Sequence, residues 1–153
     1  MGKTAGGANM AAHIVFGPSG NQYFDKLPLY GKFPYPKFGR IVSDPTTIQQ
    51  TIIPELKRWF PAGRYTTSKR GKSYEYRWKT DTGFEFDLMS YEQDVKGFES
   101  STLGWAWFDE PPPLPIFKAT VARMRRGGVI VITATPLVGS SWMYGPHHHA
   151  PGR

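Results

Sequence analysis

Leu103-Gly104-Trp105-Ala106-Trp107-Phe108-Asp109-Glu110, followed by Pro111-Pro112-Pro113, decides what fold this chain can have. An apolar run of strand length that stops at two adjacent carboxylates reads as a buried strand whose carboxyl end opens into a site. Burying such acids is costly unless a cation or a set of hydrogen-bond donors compensates them. An ordinary strand end running into a solvated acidic turn has the same pattern, so the pair alone does not decide. Two other stretches do.

Gly2-Lys3-Thr4 opens a run rich in small residues and matches the second half of the phosphate-binding pattern G-x-x-x-x-G-K-[ST]. Amide N–H groups at a helix start face an anion. Lys3 would reach the β- and γ-phosphates of a nucleotide, and the Thr4 hydroxyl would ligate Mg²⁺. Asp109 would then hold the same ion, directly or through water, leaving Glu110 to orient or deprotonate the attacking water. The second stretch is Gly127-Gly128-Val129-Ile130-Val131-Ile132-Thr133-Ala134-Thr135-Pro136. Four β-branched residues in succession predict a strand buried on both faces, as in a parallel sheet. Thr133, Ala134 and Thr135 at its end would set hydroxyls beside the carboxylates of the neighbouring strand. There they would sense a γ-phosphate and pass its loss to a moving element. Taken in order, the three stretches place their polar ends where the strand ends of one α/β sheet converge.

Composition agrees with this class. A chain of 153 residues forms one domain with a real core. A formal charge of +7 favours a polyanionic partner, nucleic acid first, although the basic residues are dispersed. Without cysteine there are no disulfides or thiolate metal sites. No apolar run approaches the roughly 18 residues of a membrane span, and Ala8 to Phe16 is too short and too polar for a signal peptide. A soluble, intracellular protein is expected, and a reducing compartment is compatible with the lack of cysteine.

Periodicity predicts a helix over Lys3 to Phe16, weakened by Gly6 and Gly7, then a Pro/Gly-punctuated, aromatic-rich connection from Gly17 to Phe38. A short strand over Gly39 to Asp44 follows, then a helix from Asp44-Pro45 to about Phe60, which Pro54 either interrupts or begins. Tyr65 to Lys72 reads as a basic loop. Tyr74 to Lys79 and Gly83 to Met89 alternate with period 2 about Thr80-Asp81-Thr82-Gly83, the pattern of a hairpin. Pro115 to Arg126 reads as a helix stopped by Gly127-Gly128.

These residues together resemble the N-terminal ATPase domain of the large terminase subunit of tailed bacteriophages, the motor that pumps DNA into the procapsid. The segment that carries the resemblance furthest is Ser90-Tyr91-Glu92-Gln93-Asp94-Val95-Lys96-Gly97-Phe98, leading into Trp107-Phe108-Asp109-Glu110-Pro111. Val131 to Trp142 is similar to the coupling strand of that family and the loop after it, and Asp44-Pro45 fits as well. Where many members have Gln-Gly, this chain has Glu99-Ser100. The resemblance implies an ASCE-type P-loop NTPase fold, a mainly parallel sheet flanked by helices with an inserted β-hairpin. The chain would be truncated at its N-terminus within the phosphate loop, with a following nuclease domain absent. It further implies ATP and Mg²⁺ as ligands, Gly2, Lys3 and Thr4 on the phosphates, Thr4 and Asp109 on Mg²⁺, Glu110 as general base, and Thr133 to Thr135 as the coupling element. Double-stranded DNA, the portal protein and the small terminase subunit would be partners of a homo-oligomeric ring in the host-cell cytoplasm. A helicase-like ATPase, or a nucleic-acid-binding domain without turnover, is the alternative.

Three basic features remain. Lys69-Arg70-Gly71-Lys72 is either a phosphate-backbone contact or a solvated turn. Arg123, Arg125 and Arg126 would touch DNA or reach a neighbouring subunit's nucleotide as an arginine finger, or else cap a solvated helix end. Consecutive His147-His148-His149 cannot all face one ion, and read as a loop.

Overall fold

Strict alternation of large apolar side chains along three strands gives the sheet two covered faces. Ile41, Leu88, Trp105 and Trp107 belong to one core cluster, and their chain neighbours Val42, Met89, Ala106 and Phe108 to another. The computed structural model describes residues 2–17, 33–69, 71, 73–93, 95–98 and 101–135. Its elements are α1 (Gly2–Phe16), β1 (Phe38–Ser43), α2 (Pro45–Thr47), a π-helical turn (Ile48–Ile52), α3 (Ile53–Trp59), β2 (Tyr65–Ser68), β3 (Arg77–Thr80), β4 (Glu85–Ser90), a 3₁₀ turn (Val95–Phe98), β5 (Trp105–Asp109), α4 (Leu114–Ala122) and β6 (Val129–Thr133). The strands form one sheet in the order β2-β3-β4-β1-β5-β6. β4, β1, β5 and β6 run parallel, and β2 and β3 add an antiparallel flank. Helices α1 and α3 supply Ala8, Ala11, Ile14, Ile53 and Leu56 to the first core cluster, which also holds the two tryptophans of β5. Helix α4 covers the second face through Ile116 and Phe117. This is the α/β, mainly parallel, helix-flanked sheet that the sequence predicts.

Two glycines set how closely layers approach. A Cβ at Gly7 would overlap the Trp107 indole, and one at Gly39 would overlap that of Trp105. Gly7 therefore costs α1 some intrinsic propensity but lets the helix lie against β5.

Four expectations are corrected. Tyr65 to Ser68 is a strand, not a basic loop. Thr66 and Thr67 suit a pleat, and Tyr65 stacks on Trp78 across the ladder at 5.1 Å. The hairpin is thus part of a three-stranded flank whose β4 also pairs with β1. Helix α4 stops at Ala122 rather than Arg126, because the Arg123, Met124 and Gly127 amides bond three residues back, closing tight turns that end with Gly127 at φ +84°. β6 is half-buried along its length, since it is the outermost strand among the described residues. Of the two readings of Pro54, the helix after β1 follows the second: α3 starts at Ile53 with proline in its first turn, directly after the π turn of Ile48–Ile52.

Candidate functional site

The carboxyl ends of four parallel strands carry small polar and acidic residues on the face covered by α1. Ser43 of β1 lies opposite Ser90 of β4, and Asp109 of β5 opposite Thr133 of β6. Val42 pairs with Phe108, so the row continues from Ser43 to Asp109. Alternation puts all four on the side of Ile41, Leu88, Trp107 and Val131. Ser43 is buried, and its hydroxyl has no hydrogen-bond partner among the described residues.

Helix α1 begins directly over this row. Its first turn is Gly2-Lys3-Thr4, so its free amide N–H groups and positive dipole end face the same place as the carboxylates. Asp109 is 1% exposed and would be an uncompensated buried charge but for its neighbours. Lys3 Nζ donates to Asp109 Oδ1 at 2.7 Å, and Thr133 Oγ1 donates to the same oxygen at 2.9 Å. Thr4 Oγ1 lies 3.4 Å from both carboxylate oxygens. The Trp107 indole N–H donates to Thr133 Oγ1 at 2.8 Å and so fixes which way that hydroxyl points.

Glu110 is held differently. Lys3 Nζ is 3.1 Å from its Oε2, the Thr135 hydroxyl donates to that oxygen at 3.0 Å, and the Thr135 amide donates to Oε1 at 3.3 Å. Its backbone sits at φ +77°, a left-handed conformation uncommon outside glycine. Two short bonds pin the backbone on either side of its Cα: Glu110 N–H donates to Thr133 O at 2.6 Å, and the Tyr91 hydroxyl donates to Glu110 O at 2.6 Å.

Electrostatics follow from this packing. Burial works against the Lys3 ammonium, but its bonds and attraction to Asp109 and Glu110 outweigh burial and hold it above its ordinary value of 10.5. Burial pushes the Glu110 carboxyl up, and Lys3 with the Thr135 hydroxyl and amide more than offsets this, leaving it below its ordinary 4.5. Burial, then the charges of Asp109, Glu110 and Asp44, push the Tyr91 hydroxyl far above its ordinary 10.0, so it remains a donor. A threonine hydroxyl beside a carboxylate is a hard-oxygen pair of the kind Mg²⁺ takes when waters and phosphate oxygens complete its shell. Among the described residues, no group of three or more His, Cys, Asp or Glu could hold a metal by itself.

The structure therefore brings together Gly2, Lys3, Thr4, Asp109, Glu110, Thr133 and Thr135, with Ala134 half-buried between the last two. It does not bring the arginines there. The Arg123 carbonyl accepts from Leu103 N–H, just before β5 begins, so Arg123, Arg125 and Arg126 lie at the opposite end of the parallel strands. Lys69 follows β2 at the site's end of the sheet, but four strand spacings away, about 19 Å. Arg70 and Lys72 lie outside the described residues, as do His147 to His149 and Pro136 onward. Sequence reasoning missed Tyr91 as a contact of the acidic pair. Its Ser-Tyr-Glu-Gln context offers no local spacing that signals a partner nineteen residues away.

No family model matches this chain, and no curated protein matches it. Among solved structures it is similar to the large terminase of a thermophilic bacteriophage in complex with ADP. That likeness has a TM-score of 0.47 and 16% identity, and covers 64% of this chain. The chain spans about a quarter of that terminase, 26% of its length. No helix among the described residues is long and apolar enough to cross a membrane.

Proposed function

We propose that this chain is an ATPase domain that hydrolyses ATP to drive double-stranded DNA into a viral procapsid, as in the large terminase family that its sequence resembles. One observation carries the hydrolytic part: a lysine and a threonine in the first turn of a helix meet an Asp-Glu pair and two threonines at adjacent strand ends. The α1 amides and Lys3 bind phosphate oxygens, Lys3 exchanging its carboxylate partners for them. Thr4 and Asp109 are the residues that would hold Mg²⁺, which when bound neutralises charge on the phosphate oxygens. Glu110 accepts a proton from the attacking water as the new P–O bond forms and the bond to the β-phosphate oxygen breaks, giving ADP and phosphate. Thr133 and Thr135, bonded to the two carboxylates, feel the change in charge and relay it into the segment after β6. DNA, portal, small subunit and a ring of copies are partners in this reading, with the host cytoplasm as its setting. The basic turn at Lys69 is the candidate DNA contact.

The test is Mg²⁺-dependent ATP hydrolysis with and without duplex DNA. Glu110→Gln keeps the shape of the side chain but cannot take the proton, and should lower turnover by about 10³-fold at unchanged nucleotide affinity. DNA-stimulated turnover without separation of a forked duplex supports packaging over helicase action. A folded protein that binds DNA and hydrolyses nothing would leave the binding-domain alternative standing.

A further inference from the structure

The turn after β4 is built with more care than a connection needs. Ser90 N–H donates to Gln93 Oε1 at 2.9 Å, Gln93 N–H to Ser90 O at 3.1 Å, and Glu92 N–H to Ser90 Oγ at 3.0 Å. Tyr91 N–H donates across to Ser43 O at 3.0 Å, which anchors the turn to the end of β1. The product of these bonds is one side chain, Tyr91, reaching over the second face of the sheet to the end of β5. Its hydroxyl lies 2.6 Å from Glu110 O and 3.5 Å from Asp109 O.

That contact falls on the peptide that most needs holding. A left-handed glutamate is disfavoured relative to its ordinary conformations, because its Cβ crowds the following carbonyl oxygen. Relaxing that φ would swing the carboxylate away from Lys3 and Thr135. The ladder bond to Thr133 O fixes the nitrogen side of Glu110. Only Tyr91, among the described contacts, fixes the carbonyl side. Because Asp109 O is also within reach, the hydroxyl spans both peptides of the acidic pair.

We propose that Tyr91 is a positioning residue: through its hydrogen bond to the Glu110 carbonyl it keeps the Glu110 carboxylate between Lys3 and Thr135. Its catalytic consequence rests on the ATPase reading given above, whereas its structural consequence does not. The experiment is Tyr91→Phe in the full chain, which deletes one oxygen and leaves the ring. Amide hydrogen exchange by NMR should speed up at least tenfold at Glu110 and Thr135, with β1 and β4 amides unchanged. With ATP, kcat should fall tenfold or more while KM stays within twofold, since phosphate binding does not involve this turn. Gln93→Ala, which loosens the turn without touching the site, should move the same two amides less. A folded Tyr91→Phe protein with wild-type protection at Glu110 and Thr135 overturns the assignment, whether or not the chain hydrolyses ATP. If Tyr91→Phe does not fold, unchanged exchange at both amides in Gln93→Ala overturns it instead. Absence of turnover in the wild type would remove the ATPase reading alone, because the exchange comparison still decides the positioning role.

Discussion

Lys3–Asp109 and Arg64–Asp81 are both close cation–carboxylate pairs, at 2.7 and 2.9 Å, and they stand near opposite edges of one sheet. Arg64 grips Asp81 with two bonds in ideal fork geometry, yet both side chains are about half exposed. Asp109 is buried and shares its oxygens among a lysine and two hydroxyls that come from different elements. Exposed pairs contribute little because water serves both ions as well as they serve each other. A buried carboxylate has no such alternative, so every donor around it matters. The better-looking pair is the less important one.

Removing the carboxylate should separate the two regions most sharply. Asp109→Ala strands Thr133 and leaves Lys3 with Glu110 alone. It should cost about 3 kcal/mol in a urea titration, the scale for breaking a buried pair. A cost no greater than that of an average surface change would mean that the row is solvated. Helix α1 offers the next test. Gly7→Ala forces a methyl into the Trp107 ring and should cost about 1–2 kcal/mol, overpacking exceeding the propensity gained. Gly6→Ala meets nothing and should stabilise by about 0.7 kcal/mol. Equal effects at the two positions would show that α1 is not seated on β5.

On the flank, Glu75 bridges Lys57 of α3 at 2.9 Å and Thr67 of β2 at 2.8 Å. The hydrogen bond from Lys57, helped by Thr67 and opposed by burial, holds its carboxyl below the ordinary 4.5. A depressed carboxyl stabilises the fold above its unfolded value and loses that contribution as pH falls through the lower folded value. Glu75→Gln should therefore melt slightly below wild type at neutral pH, with the two curves meeting at acid pH. Curves that stay parallel at all pH values would assign the effect to packing instead. Smallest of all, Arg64→Ala should leave the melting temperature where it was.

Much of this arrangement is legible in the residues themselves. Strand β5 declares itself by six apolar or small residues ending in two acids, and Gly-Lys-Thr declares the start of α1, because both patterns are local. What escapes local reading depends on neighbours. Five apolar or β-branched residues look the same in a central strand as in β6, where strand order alone leaves one side uncovered. Tyr65-Thr66-Thr67-Ser68 reads as loop because the basic residues after it dominate. Its pairing rests on Trp78, ten residues on. Gly7 reads as a flaw in a helix until the indole that needs its missing Cβ is in view. Tyr91 is invisible for the same reason: its partner is a backbone carbonyl, and a carbonyl has no residue letter.

Trp107 has a use that its packing confers. Its indole ring faces Gly7 in the helix that starts at Gly2, and its N–H is bonded to Thr133, itself bonded to Asp109. Emission from an indole responds to its hydrogen bond and to the groups against its rings. A chain in which the other four tryptophans are replaced by phenylalanine would carry a built-in optical gauge of the site. Occupancy by any polyanion, or a shift of α1 on β5, would be recorded as a change of colour or brightness from within the protein, with no dye attached.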